Sequence, residues 1–527
     1  MIDTDNHKGQ SKGQLLLSVI VNFLVMFGLF SWLTFTRNVD GDEGLYLEAA
    51  RLVAGGKRLY ADFFFQQMPL LPYLYAGWTE VFGFSLFSGR LFSALLTALS
   101  GTVALVYAAV AYRRVFLVNL VALLMYGCGI FLAWAPVIKT HPFNAFFLVS
   151  SSVLLMLWGN GTLKGSLYLT LAGLLIGLGI SCRLTLAPFP FLFLLYIMGK
   201  SERPPFRLVG SFLMGLLLGL LPCLVFWYWT PELFWKYNLA FHTDVFPGVS
   251  APSFRAQIAK SIFAAPQIAI LFVLGYISLL RESQKGWEKL FFSDQLFLTA
   301  LIALFFAIHL AAAMPFTQYF SAVIPWLALA SLPLLELALR WGSAFRNLIF
   351  APLAVGYIAL AAPFYERELS FVGSLNPEWR LENILSAVKA LKRIVKPGDS
   401  CLTWWPGYTA LAGCQLPSGM ENHMREHAIL RGISSRKLKE YRLLPAEDLL
   451  VLLDEKKVRV VVDGAYRLQT PFDEFAEYLI QENYQVRSKR GGVKIYTLAT
   501  ERELAVEEKA LAAVKPLHDL ERKLISR

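Results

Sequence analysis

Three carboxylates fall within four positions at Asp40, Asp42 and Glu43, directly after an apolar run from 15 to 36. Such a run is long enough to span a bilayer, so the carboxylates stand where a membrane helix emerges into water. Transfer of a group to a hydroxyl needs a base for that hydroxyl and cations for the leaving group. Asp42 and Glu43 are residue types suited to the base. Arg51, Lys57 and Arg58 in the same stretch offer cations, as do Lys139 and Arg183 farther on. A phosphate leaving group is what such cations hold well. Arg183 interrupts the apolar stretch SCRLTLAP. A charge at a membrane edge is costly and marks a functional position; snorkelling to the interface is the plain alternative.

The other polar residues divide between chemistry and structure. Tyr319, in the sequence FTQYF, is able to donate to a phosphate or a sugar hydroxyl, and equally to serve as an interfacial aromatic. His141 and His242 fall on loops that face the same side as the carboxylates, in reach of a phosphate or merely incidental there. His309 lies inside an apolar run and reads as a satisfied buried histidine. Asp62, two residues after Tyr60, reads as a loop-holding residue that accepts backbone hydrogen bonds.

These residues must be carried by membrane helices. Apolar runs fall near 15–36, 85–112, 115–136, 141–159, 165–182, 184–199, 206–229, 257–280, 295–314, 317–339 and 347–364. They are continuously apolar rather than alternating, which argues for helices and against a β-barrel. The first run is longer than a signal-peptide core and is followed by no small-residue cleavage pattern, so it reads as an uncleaved anchor. Basic residues punctuate the runs at Lys8 and Lys12, Arg113 and Arg114, Lys200 to Arg207, Arg281 to Lys289, and Arg340 to Arg346. Placed on the cytoplasmic side, these clusters agree with one topology of eleven spans. That topology puts the loop 37–84, the turn Lys139–Asn144 and the loop 230–256 outside. PLLPYLYAGWTEVFGF, from Pro69, is apolar but short and reads as an interfacial helix.

The chain is 56% hydrophobic and 17% charged, far from the roughly 25% charge of a soluble globule. Its net charge of +11 follows the loops that flank the spans, so it points to topology and not to nucleic acid. After 364 the composition turns charged. Segments 399–405, 458–464 and 493–498 read as strands and 470–483 as a helix, which together suggest a soluble α/β domain over 365–527. Residues 500–527 read as a charged, exposed helix. Cys128, Cys182 and Cys223 lie in apolar runs, and Cys401 and Cys414 in the soluble region. None has metal-ligand spacing. Cys401 and Cys414 are open to pairing outside the cytoplasm, or to remaining free thiols.

The ordered set Asp42-Glu43, Tyr46, Ala49-Ala50-Arg51, Gly55-Gly56, Tyr60-x-Asp62 and Met68-Pro69-Leu70 resembles the first external loop of the GT-C glycosyltransferase superfamily. The similarity is greatest to the bacterial branch related to protein O-mannosyltransferases and lipid A aminoarabinose transferases. LFSGRLFSALLTALSG, with Arg90 entering the second span, and the segment from Gln318-Tyr319 to Pro325 resemble that family as well. Motif-level similarity is confined to residues 38–95 and, more weakly, 314–330.

The resemblance implies a polytopic α-helical membrane protein of about eleven spans: a transmembrane catalytic domain over 1–364 and an extracytoplasmic α/β domain over 365–527. It implies a glycosyltransferase of the cell membrane. A polyprenyl-phosphate-linked sugar would be the donor, a lipid, glycan or protein would be the acceptor, and transfer would invert the anomeric carbon on the outer face. By this resemblance Asp42 is the base and Glu43 its neighbour in the site. Arg58, Lys139, His141, Arg183 and Tyr319 are the residues expected to meet the donor phosphate or substrate. Many relatives carry a second acidic residue where this chain reads Lys139-Thr-His-Pro-Phe-Asn144, with Asn144 at about the acidic position. No metal and no cofactor is inferred. A transporter of lipid or sugar is the rival class. It would place broken or charged helices at mid-membrane in both halves, whereas here the polar residues gather at the outer ends.

Overall fold

A computed structural model describes the chain except residues 1–9, 202–204, 247–254, 257–258, 260–264, 285, 287–289, 291–292, 312–315, 341–342, 370–376, 397, 467–474, 491 and 501–527. The expected helix at 500–527, the first turn of the one at 470–483 and part of the loop 230–256 therefore lie outside the described residues. The chain forms two compact units, Met1–Asn376 and Pro377–Arg527.

The first unit is helical and multi-pass. Among the described residues, five helices are long and apolar enough to cross a membrane: α1 (Lys12–Thr36), α4 (Leu86–Tyr112), α7 (Thr140–Gly159), Asp294–Ala311 and the composite Thr317–Leu335. Helices α10 (Phe206–Gly219) and α11 (Leu221–Trp229) make a sixth span if the pair, bent by 51°, counts as one. The eleven apolar runs thus resolve unequally. Run 115–136 becomes α5 (Val115–Tyr126) and α6 (Gly129–Trp134), broken at Gly127 and Cys128. Gln267 fills that break. Its Nε2 donates to the carbonyls of Gly127 (2.9 Å) and Tyr357 (2.7 Å), and its Oε1 accepts from Gly129 N (3.3 Å). A break at membrane depth is tolerated where protein groups satisfy the freed backbone. Runs 165–182 and 184–199 become α8 (Leu167–Cys182) and α9 (Phe189–Lys200), parted by a short 3-10 turn at Leu184–Leu186.

Helices α8 and α10 pack without intervening side chains. A Cβ built on Gly215 would lie 1.9 Å from the Thr170 carbonyl oxygen, and one on Gly173 would lie 2.1 Å from that of Phe212. Gly177 and Gly219 repeat the contact one turn on. Small residues at four-residue spacing let two membrane helices approach this closely.

Short helices lie on the loop after α1. Helix α2 (Gly41–Ala54) starts at a capping box. Asp40 accepts from Asp42 N (3.0 Å), and the Glu43 carboxylate accepts from Asp40 N (2.9 Å). The letters D-G-D-E encode this start, and the first turn is a favourable place for negative charge. Helix α3 (Leu70–Phe82) exposes Val81 and Phe82. Between α2 and α3, Tyr60 holds a left-handed backbone (φ 66°), which a bulky residue adopts only when tied down. Its hydroxyl donates to the Gln67 carbonyl (2.6 Å), and its ring packs on Phe226, Phe234 and Tyr237. The first unit also extends past 364. Leu369 bridges Arg37, and Asn38 N donates to the Glu368 carbonyl (2.8 Å).

The second unit holds a four-stranded sheet of β1 (Cys401–Thr403), β2 (Val460–Asp463), β3 (Tyr484–Arg490) and β4 (Val493–Leu498), in the order β1-β2-β4-β3. Strands β1 and β2 run parallel; the other pairs are antiparallel. Leu402, Leu453, Val461, Tyr484 and Tyr496 belong to its apolar core.

Candidate active site

The capping box does more than start α2. It turns Glu43 inward, where both Glu43 and Arg90 are fully buried. Arg90 Nε and Nη2 donate to the two Glu43 oxygens at 2.8 and 2.6 Å. Its remaining hydrogens reach the carbonyls of Thr34 (3.1 Å), Arg37 (3.0 Å) and Asn38 (2.9 Å). Ile138 N adds a bond to Glu43 at 3.2 Å. One ion pair thus ties the end of α1, the start of α2, the entry of α4 and the segment before α7. Burial works against the Glu43 charge, but Arg90 outweighs it and holds the carboxyl below its usual range.

On the other side of that knot Lys139 enters. Its ammonium lies 2.7 Å from Asp40 Oδ1 and 3.0 Å from Asp42 Oδ2. The lysine side chain is 4% exposed, Asp40 17% and Asp42 27%, so Asp42 is the most accessible of the three carboxylates. Burial works against the Lys139 charge; Asp40 and Asp42 outweigh it and push the ammonium up. Burial raises Asp40 despite Lys139. The Lys139 ammonium also faces the Trp134 ring at 5.0 Å, and Arg37 faces the same ring at 4.7 Å. Arg37 is fixed by Glu368 (2.9 Å) and by the Ala133 carbonyl.

A second cation follows one residue along. Arg183 Nη1 donates to Thr140 Oγ1 (2.6 Å), and its guanidinium lies 4.4 Å over the Tyr319 ring. The Tyr319 ring is 5.4 Å from His141 and 5.2 Å from His309. Tyr46, on α2, is within electrostatic reach of Asp42, Arg183 and Lys139. Burial first, then the Asp42 charge, pushes its hydroxyl up. Tyr46 donates to Gln67 Oε1 at 2.9 Å.

Asp42, Lys139, His141, Arg183 and Tyr319 are therefore linked through direct contacts and shared rings. The segment expected as a tight turn at Lys139–Asn144 is instead the start of α7, with Lys139 at the N-cap position and Pro142 in the first turn. This lifts Lys139 off the helix and points it back to α2. Arg58 is not brought to the cluster. It is 77% exposed and bound to Asp62 at 3.0 Å. Asp62 also accepts from Arg58 N (2.8 Å), which is the loop-holding role read for it. Arg58 lines a different cavity of about 400 Å³ with Leu59, Ala61, Tyr73, Phe226, Trp229 and Thr230. His242 Nε2 pairs with the Gln66 carbonyl (2.8 Å) and His309 Nδ1 with that of Phe305 (2.9 Å). Asn144 is buried in α7, and its Oδ1 has no hydrogen-bond partner among the described residues. Among the described residues no three His, Cys, Asp or Glu side chains are grouped to hold a metal.

Sequence reasoning passed over Asp40 as more than a neighbour, and it missed Arg37, Trp134 and Thr140. Their roles depend on contacts between residues far apart in the chain. Only the D-x-x-E spacing carried a local signal for Asp40.

Residues 66–229 match the family model described as dolichyl-phosphate-mannose-protein mannosyltransferase. That span holds Arg90, Lys139, His141 and Arg183 but begins after Asp42. No curated protein matches the chain. Among solved structures, ArnT from Cupriavidus metallidurans bound to undecaprenyl phosphate is similar with a TM-score of 0.65 at 12% identity, over 93% of this chain and 99% of that one. The same protein in the apo state gives 0.64 at 13% identity, over 92% and 98%. At such identity the likeness is one of fold. The resemblance to the GT-C superfamily, drawn from residues 38–95 and 314–330, is borne out by the family model and by this fold.

Proposed function

We propose that this protein is a membrane glycosyltransferase that moves a sugar from a polyprenyl-phosphate donor to an acceptor hydroxyl or amine on the outer face, with inversion. The observation that carries the reading is the Lys139 ammonium held between Asp40 and Asp42, with Arg183 one residue along on Thr140. A base and two cations occupy one cluster next to the ends of membrane helices.

Asp42 is the base. The acceptor oxygen or nitrogen attacks the anomeric carbon from the face opposite the phosphate, and its proton passes to the Asp42 carboxylate. The anomeric carbon–oxygen bond breaks, and the phosphate leaves with the electron pair. Lys139 and Arg183 hold the charge that builds on it. A single displacement of this kind inverts the centre. Lys139 also masks Asp42 before the donor arrives, because an ammonium 3.0 Å away occupies the lone pairs that a proton would need. A donor phosphate competes for that ammonium and leaves Asp42 open to the acceptor. Glu43, locked to Arg90, is a positioning residue that sets the first turn of α2. Arg58, on its separate cavity, is outside this chemistry. The extracytoplasmic place of residues 365–527 belongs to the same proposal.

The test uses membranes containing the full chain and a labelled polyprenyl-phosphate sugar. Label leaving the lipid for an acceptor supports the enzyme. Label crossing the bilayer while still on its lipid, with no transfer, identifies a transporter instead.

A further inference from the structure

We infer that Cys401 and Cys414 close a structural disulfide in the second unit. The inference rests on the extracytoplasmic place proposed for this unit, not on the chemistry proposed at Asp42. Both residues are fully buried and stand here as free thiols; the Cys401 thiol donates to the Asp399 carbonyl (3.9 Å) and is within electrostatic reach of Cys414. The backbone on either side is already clamped. Cys401 N donates to the Gln415 carbonyl (2.8 Å), Gln415 N donates to the Asp399 carbonyl (3.0 Å), and Ser400 bridges Gln415. These bonds hold the backbone of Cys401 beside that of Gln415, the neighbour of Cys414. The link would join β1 to the second residue past the helix Gly407–Ala412, enclosing Trp404 and Trp405.

The chemistry needs an oxidant, here a thiol–disulfide oxidant of an oxidising compartment. One cysteine thiolate attacks the oxidant's disulfide and expels one of its sulfurs as a thiol. The second cysteine attacks the mixed disulfide and expels the other. The sulfur–sulfur bond forms, the protein gives up two electrons and two protons, and the oxidant is reduced to two thiols. The neighbouring Cys414 and burial both push the Cys401 thiol up, so folded Cys401 holds little thiolate. Exchange proceeds through the thiolate. The bond therefore forms while the segment is still accessible during folding, and once buried it is inert.

The full chain, taken from membranes and unfolded with an alkylating reagent present, tests this by peptide mass spectrometry. Without reductant, the peptides holding Cys401 and Cys414 should be recovered joined and unalkylated, while Cys128, Cys182 and Cys223 are alkylated. With reductant added first, all five should carry the reagent. In Cys401→Ser, Cys414 should be alkylated without reductant. Full alkylation of Cys401 and Cys414 in the unreduced protein would overturn the inference and leave them as two buried apolar thiols.

Discussion

At the scale of single residues, two acidic side chains one position apart have opposite surroundings. Glu43 is buried against a guanidinium, whereas Asp42 is partly open and shares the Lys139 ammonium with Asp40. Replacing Arg90 by Leu strands the Glu43 charge, which costs on the order of 3–5 kcal/mol; a thermal melt should show the loss even in variants that still bind donor. The pH dependence has a definite sign. Glu43 is held below its unfolded value, so its contribution is full above about pH 4.3 and fades as acid takes the folded carboxyl through its depressed pKa. Lys139 is raised, so its contribution is full below about pH 10.4 and is lost only as alkali passes the folded value. Unfolding of the wild type followed from pH 3 to 7 should therefore weaken at the acid end, and Glu43→Gln should flatten that slope. Lys139→Met removes a cation from the leaving phosphate and should lower kcat about 100-fold to 1000-fold, with a higher donor KM. A change confined to thermal stability would contradict its role.

At the scale of elements, what was legible in the sequence was local. The long apolar runs announced α1, α4 and α7, while D-G-D-E carried a capping signal for the start of α2 that was not read. The break in run 115–136 was illegible because apolar residues continue through it; Gln267, far along the chain, makes the break affordable. Strand β3 was illegible because YQVRSKR is polar and half-exposed. The pairing of Lys139 with α2 was illegible because it joins residues about a hundred apart, although both partners had been singled out. The glycines of α8 and α10 carried a spacing that was not read, and they give a sharp contrast. Gly215→Ala drives a methyl into the Thr170 carbonyl, whereas a Cβ on Gly210 of the same helix meets nothing within 4 Å. Gly215→Ala should cost about 1–3 kcal/mol, and Gly210→Ala should be neutral or slightly stabilising through helix propensity. Equal melting temperatures for the two variants would contradict the packing account.

At the scale of the molecule, the chain is a helical membrane unit and a small unit with its own sheet and core. A unit with a core of its own should fold alone. Residues 377–500 produced separately should melt in one cooperative transition by circular dichroism; a broad, featureless melt would contradict that independence. In the membrane unit, the Arg90 knot gathers α1, α2, α4 and the lead into α7 so that Lys139 meets Asp42. The GT-C fold was anticipated from motifs near the first loop, but the inner wiring of the site needed the tertiary structure. The central claim is that Asp42 takes the acceptor's proton as the sugar leaves its lipid phosphate. The most direct measurement is single-turnover transfer from a bound, labelled polyprenyl-phosphate sugar in wild type and Asp42→Asn, with donor binding measured alongside. The account predicts near-normal donor binding and a rate lowered by about 100-fold or more. Transfer by Asp42→Asn at the wild-type rate would contradict it.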